Sequence, residues 1–512
     1  MFALLTLIAL LPQAGGETHH VTDLHPLTSG DEFGRELVRF DDLDGDGIPE
    51  IGGLSWNEGV VYSSSTKQAL YRFPGRFGLA SLADMDGDSV GDILSWGGGS
   101  YAAQLYSGAT GALIRDLPWA GGQAVSSIED LNGDGVPDLI VGIPDYAIGY
   151  TFGLGMVRVV SGADGTLLRE RVGNREYMAF GAQIAVIPDM DGDGLQDFVT
   201  TDPASPDEWS HLHRHKSYVY FVSSATLDIL GQFGGYKTLG YSIALVPDRG
   251  GDGFDDLLVG APEGAGDGMF RLYSLPAGEM IFDWGGDKWT GYAVAAAGDT
   301  DGDGTCDYAV GDPLKGINSG QARIFSGDDG RLLWRVHGGG RGLYGWSLAG
   351  NVDWDQDGLA DVAVAAPFHD SSDGLVRVYG FSPWIRTDTL SVSLGAGDSW
   401  SYSIDFPSSV AGLDYQVLAS MTGTGPTLVQ GVMLPLTEDL CMRLSSYSYA
   451  GAVRSGLQGV LDADGNAEVQ LHIAPRAWQE LAGRRIYVAA VALSSARMPQ
   501  LSSAALPLDF LQ

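Results

Sequence analysis

"DTDGDGTCD", residues 299–307, sets Asp299, Asp301, Asp303 and Asp307 at positions 1, 3, 5 and 9 of a nine-residue stretch, around Gly302 and Gly304. Four carboxylates this close repel one another unless a cation sits among them. The spacing returns six more times, as DLDGDGIPE from residue 42, DMDGDSVGD from 84, DLNGDGVPD from 130, DMDGDGLQD from 189, DRGGDGFDD from 248 and DWDQDGLAD from 353. Successive starts lie 42, 46, 59, 59, 51 and 54 residues apart. A period of that size marks a repeat architecture in which each unit is one supersecondary element.

The residues around each stretch identify the unit. After Gly291 come four short strand patterns, YAVAAAG, DYAVGDP, QARIFSG and RLLWRV, and the last two are joined by the glycine-rich turn SGDDG. The order recurs with SGADGTLL at 161–168 and SGATGALI at 107–114. Four antiparallel strands per unit, seven times over, predict an all-β chain with a seven-bladed β-propeller.

The loop chemistry suits calcium, which takes six to eight oxygens in irregular geometry. Position 1 is Asp42, Asp84, Asp130, Asp189, Asp248, Asp299 or Asp353. Position 3 is Asp44, Asp86, Asn132, Asp191, Asp301 or Asp355, and position 5 is Asp46, Asp88, Asp134, Asp193, Asp252, Asp303 or Asp357. Position 9 is Glu50, Asp92, Asp138, Asp197, Asp256, Asp307 or Asp361. Position 7 needs to offer only its carbonyl, so it is free to be apolar: Ile48, Val90, Val136, Leu195, Phe254 and Leu359, with Thr305 the exception. About one Ca2+ per loop is expected. The loops from 84 and 248 are the weakest, because Ser89 replaces a turn glycine and Gly250 removes a ligand. An EF-hand is excluded, since position 12 is Gly53, Ser95, Val141, Thr200, Val259, Val310 or Val364 and the flanks DLIVGIP and DLLVGAP are strand-like.

Acidic residues outnumber basic ones 65 to 29, for a formal charge of −36, and the acid is concentrated in these loops. Nucleic acid and anionic membrane call for basic patches and are excluded as partners. Residues 1–16, MFALLTLIALLPQAGG, form an apolar run too short to span a bilayer. They are expected to be a signal peptide, although no Lys or Arg precedes the run; the alternative is a buried strand. No other stretch is long and apolar enough for a membrane helix. Cys306 and Cys441 are too few for a disulfide framework or a zinc cluster and are expected as unpaired thiols.

The pattern resembles the FG-GAP repeats of integrin α-chain propellers and their bacterial secreted relatives over residues 18–381. FG stands at 33–34, 77–78 and 180–181 with YG at 344–345; the closing signature appears as GIP (142–144), GAP (260–262), GDP (311–313) and AAP (365–367). The resemblance implies acidic loops on a lower face, between the first two strands of each blade, and ligands met on the upper face. Aromatic residues recur on that upper side. Trp56, Trp96, Tyr146, Tyr150, Phe152, Trp209 and Phe368 follow second strands, and Trp119, Tyr177, Tyr236 and Trp289 precede first strands.

The propeller is expected over 17–381, a linker over 382–388 (SPWIRTD) and a β-sandwich over 389–512, where TLSVSL, WSYSIDF, AEVQLHI and RIYVAAVAL alternate. A short helix is expected from Pro475, and DADG at 462–465 reads as a hairpin turn. The last blade lacks an evident fourth strand, and HHVTDLHPL near the N-terminus is placed to supply it. The functional expectation is a secreted or cell-surface, non-catalytic module that binds an extracellular protein or glycan. The alternative is a carbohydrate-active lyase or hydrolase with an upper-face site, marked by carboxylates or histidines converging on the axis. His211, His213 and His215 alternate as zinc ligands on a strand can, but read better as an exposed polar strand.

Overall fold

The computed structural model describes residues 16–511 apart from 27–30, 75–77, 98–101, 148–152, 175–178, 204–215, 236–237, 264–266, 287–288, 316–318, 339–341, 426, 431, 440 and 443–456. Residues 1–15, the histidines at 211–215, and Tyr150, Phe152, Tyr177, Trp209 and Tyr236 lie outside the described residues.

Seven four-stranded antiparallel sheets follow one another along the chain. The third is representative: Ala124–Ile128, Asp138–Ile143, Met156–Val160 and Leu167–Val172 pair in sequence order. Burial varies across a sheet as its sequence dictates. Asp138–Ile143 is wholly buried and reads as a continuous apolar run, because neighbouring sheets cover both of its faces. The outermost strand, Leu167–Val172, alternates exposed and half-buried residues. The first strands of successive sheets touch in order, and that of the seventh, Leu348–Val352, touches that of the first, Glu36–Arg39, so the ring closes as a β-propeller. Each apolar core lies between two sheets. Ala80, Leu105, Leu139 and Val160 join the second to the third, and Phe33, Val60, Ala363 and Val376 join the seventh back to the first.

The GxP and FG motifs set how closely the sheets approach. A Cβ on Gly142 would lie 2.0 Å from the Gly181 carbonyl oxygen, one on Gly260 2.2 Å from that of Gly291, and one on Gly311 2.1 Å from that of Gly345. Only glycine permits backbone to meet backbone at that distance. Gly181, Gly291 and Gly345 also hold φ of 90°, 81° and 85°.

The seventh sheet takes its outer strand from the other end of the chain. Glu17–Leu24 pairs antiparallel with Leu375–Ser382, where HHVTDLHPL was expected to lie. Arg377 donates to both oxygens of Asp23, at 2.6 and 2.8 Å, and Leu24 is buried in the core shared with the first sheet. Glu17–Leu24 thereby covers what would be the open edge of Leu375–Ser382.

Beyond Ser382 two further sheets share one core. Ile385–Thr387, Asp398–Asp405 and Asn466–Ile473 form the first, bringing Trp400, Tyr402, Ile404 and Val469 inward. The second runs Ser391–Ser393, Leu506–Leu511, Arg485–Leu493, Asp414–Ser420 and Gln458–Val460, and contributes Val417, Val488, Leu508 and Phe510. Two features differ from the sequence reading: Ile385–Thr387, in the expected linker, is a strand, and the expected helix is only a 3-10 turn, Gln479–Leu481. Ser391–Ser393 pairs parallel with Asp509–Leu511. Asp462 closes the expected hairpin by accepting from the Asp464 and Asn466 amides. Cys306 and Cys441 are free thiols.

Deleting residues 17–24 removes Leu24 from a core and leaves Leu375–Ser382 as an unpaired edge. Burial of one leucine alone is worth about 1.5–3 kcal/mol, so the deletion should lower the denaturation midpoint strongly. A truncated chain that unfolds at the parental midpoint would refute the closure.

Candidate metal centres

Each acidic loop connects the first and second strands of its sheet, and its backbone is tied to its own carboxylates. In all seven, the position-6 amide donates to Oδ2 of the position-1 aspartate, over 2.7–2.9 Å. The position-7 amide donates to Oδ1 of the position-5 aspartate. The position-2 amide donates to the position-9 carboxylate, from 2.6 Å at Leu43–Glu50 to 3.2 Å at Arg249–Asp256. Residues seven apart are thereby locked together. Position 9, the first residue of a buried strand in six loops, carries its charge into the fold.

These bonds fold the loop so that carboxylates face one another. One oxygen from each of Asp42, Asp44, Asp46 and Glu50 lies within 4.8 Å of the others. The same holds for Asp84, Asp86 and Asp92; for Asp189, Asp191 and Asp197; for Asp299, Asp301 and Asp303; and for Asp353, Asp355 and Asp357. Among the described residues, no such trio forms at 130, where Asn132 replaces a carboxylate, or at 248, where Gly250 stands. The loop from 130 compensates in part, since Asn132 Nδ2 donates to Asp134 Oδ2 at 2.8 Å.

The electrostatics divide by position outside the sixth loop, where burial raises the position-1 Asp299 as well. Backbone amides, from Gly135 first at Asp130 and from Gly194 first at Asp189, hold these position-1 carboxyls below the usual range. Position 9 goes the other way. Burial, with the charges of Asp44 and Asp46 added, pushes Glu50 up to about 7. Burial, with Asp355 and Asp353 added, pushes Asp361 up to about 8, and burial pushes Asp92 up to about 6. Glu50 Oε1, Asp256 Oδ1 and Asp361 Oδ1 are buried without a hydrogen-bond partner. Hard oxygen donors, a shared focus and unpartnered buried carboxylate oxygens fit a divalent cation, which would restore the ionised state.

Two loops receive basic side chains that sequence reading missed. Arg331 Nη2 donates to Asp301 Oδ2 at 3.0 Å, and His19 Nε2 lies 2.6 Å from Asp355 Oδ2. Arg386 Nη2 donates to Asp357 Oδ2 at 2.8 Å. Only Arg331 left a trace in sequence: aligned repeats put Thr166 and Ala112 where it stands.

On the upper side, among the described residues, Trp56 and Trp119 are the exposed aromatics, at 41% and 46%. The Arg35 guanidinium lies 3.6 Å from the Trp56 ring, whose Nε1 donates to Glu32, and Arg158 lies 4.9 Å from the Trp119 ring. Trp96 is buried in a strand and Tyr146 packs against the core between the second and third sheets, so these two are core residues. Phe368 stands edge-on to Trp346 at 5.7 Å, and Trp346, Tyr292 and Tyr241 continue that contact across three sheets at 4.8 and 5.0 Å. Trp289 borders this run, 6.3 Å from Tyr292. Tyr241, Tyr292 and Trp346 were missed because each stands only one or two residues before a first strand, where an aromatic reads as part of that strand's core face.

Two substitutions separate scaffold from ligand roles. Asp189→Ala removes the acceptor of two loop amides and should cost about 1–3 kcal/mol even in a chelator, whereas Asp191→Ala removes the acceptor of one, the Asp193 amide at 3.1 Å, and should cost less in chelator and more when a divalent cation is present. Equal effects in chelator would contradict the division. Ser89 holds φ of 74° where other loops have glycine, so Ser89→Gly should raise stability by about 1 kcal/mol, read from denaturant midpoints.

Comparison with known proteins agrees with the repeat. Residues 121–160 match the FG-GAP repeat family. Integrin alpha pat-2 of Caenorhabditis elegans is 33% identical over 211 residues, covering 35% of this chain and 17% of that protein. Integrin alpha-4 of Xenopus laevis is 31% identical over 160 residues (29% and 15%), and integrin alpha-V of Gallus gallus 33% over 165 (28% and 15%). The chain thus spans about a sixth of the length of these curated relatives. Among solved structures, the BBS1N chain of a complex with ARL6DN is similar over 72% of this chain and 97% of its own, at 10% identity and a TM-score of 0.47. The repeated part of this chain is a β-propeller that matches the FG-GAP repeat over residues 121–160 and is similar to integrin α chains.

Proposed function

We propose that the chain binds calcium, about one ion per acidic loop, and acts outside the cell as a non-catalytic module that adheres to or captures an extracellular protein or glycan. The observation that carries this reading is the recurrence of one nine-residue cradle seven times, with carboxylate oxygens converging in five of them. Relatives that are integrin α chains support an adhesive role. The ligands at each loop would be the side chains at positions 1, 3, 5 and 9 with the carbonyl at position 7; the loops from 130 and 248 would be weaker for want of a carboxylate at position 3. Trp56 and Trp119, each an exposed ring beside an arginine, offer the flat apolar area and polar tips that suit protein hot spots and sugar faces.

Seven Ca2+ ions would bring the formal charge from −36 to −22, since each adds two. That relieves self-repulsion opposing the compact state and adds binding energy available only to the folded chain. Melting in excess calcium and in chelator should therefore differ by many degrees; coincident curves would remove calcium from the reading. Screening the calcium-loaded protein on glycan and protein arrays identifies the partner class. The Trp56→Ala, Trp119→Ala double variant should lose capture while its calcium-dependent melting stays parental. Capture that survives both substitutions would move recognition elsewhere.

A further inference from the structure

The lower face is not uniform. In the first five loops the residues at positions 3 and 5 are exposed, and a Cβ added at Gly45, Gly133, Gly192 or Gly251 would meet nothing within 4 Å. In the sixth loop a Cβ on Gly304 would lie 2.6 Å from Leu390, and one on Gly302 3.9 Å from Leu506, both residues of the C-terminal sheets. Asp301, Asp303 and Asp307 are 0%, 4% and 0% exposed. Arg331, which neutralises Asp301, also reaches the Ala505 carbonyl at 3.4 Å. The hairpin beside this loop is gripped too: Asp328 accepts from Arg485 and from the Tyr487 hydroxyl. Arg386, which leads into the C-terminal sheets, holds Asp357 of the seventh loop. This part of the lower face is the surface on which the chain docks its C-terminal sheets.

Covering Asp301 and Asp303 with leucines strips them of water, beside a position-9 carboxylate already buried, while Arg331 supplies a single positive charge. Carboxylates buried together without enough counter-charge oppose burial strongly. We propose that the divalent cation of the sixth loop is part of the interdomain joint: it makes burial of these acids tolerable, and the docked C-terminal sheets in turn retain the ion. This rests on the calcium reading above and adds that one site, unlike the open loops, couples ion binding to domain docking. Such coupling is reciprocal and commonly amounts to 5–150-fold.

The test uses the full chain with calcium chloride or EGTA, followed by tryptic cleavage after Arg386, the residue held on Asp357. Cleavage should run about tenfold faster in EGTA. The Asp301→Asn, Asp303→Asn variant should be cleaved fast in either condition, while Asp130→Asn, Asp134→Asn in an open loop should behave like the parent. For the reverse direction, Trp334 donates from Nε1 to Thr300 Oγ1 inside the sixth loop at 3.2 Å, so terbium bound there is excited through that indole. Arg485→Ala, which touches no acid of the loop itself, should weaken the Trp334-sensitised terbium site by about tenfold. Calcium that binds and stabilises the chain without changing cleavage at Arg386 overturns the joint but leaves the calcium reading standing. So does an open-loop variant as labile as the sixth-loop one, or an Arg485→Ala chain with parental terbium affinity. Absence of any ion binding overturns both.

Discussion

Backbone meets backbone where one blade joins the next, at the Gly142–Gly181, Gly260–Gly291 and Gly311–Gly345 contacts. At these distances no side chain fits on either partner, so the spacing of the sheets is set by the absence of Cβ atoms. The rest of the propeller follows from that spacing. Once the upper ends of the first and second strands are clamped, the apolar faces of adjacent sheets interdigitate, and every apolar core of the ring is shared between two neighbours. A sheet taken alone would expose both faces, so stability belongs to the ring and depends on closing it. Glu17–Leu24 completes that closure from the far end of the chain.

The acidic loops sit at the opposite end of the same strands and pose the opposite problem. Their backbones are satisfied by their own carboxylates, which leaves like charges facing each other around a common point. Position 9 sharpens the conflict because it opens the second strand, buried between sheets. An ion would make one arrangement serve both needs, since it pairs the charges and ties the strand start to the loop. In the sixth and seventh loops protein groups enter as well, from Arg331, His19 and Arg386. The C-terminal sheets dock there and not on the loops whose acids face water.

Much of this was legible in the sequence, for a physical reason that can be named. The hydrogen bonds shaping each acidic loop span at most seven residues, so the nine-residue pattern contains nearly all of the information that folds it. The repeat period, the SGDDG-type hairpins and the FG and GxP glycines likewise encode contacts within a blade or to the next one, and the unfilled fourth strand of the last blade pointed to the N-terminus. What tertiary structure decided involves residues distant in the chain. Arg331 and Leu506 lie 175 residues apart yet meet over one loop, and nothing near Asp301 in sequence announces that it is covered. Nor does local pattern distinguish Trp96, folded into a core, from Trp56, left exposed beside Arg35. The sequence alone determined the repeated blade and its acid cradle, because local bonds build both. Which cradles stay open and which are sealed was decided only when the C-terminal sheets came to rest on the ring, because burial depends on what lies opposite in space.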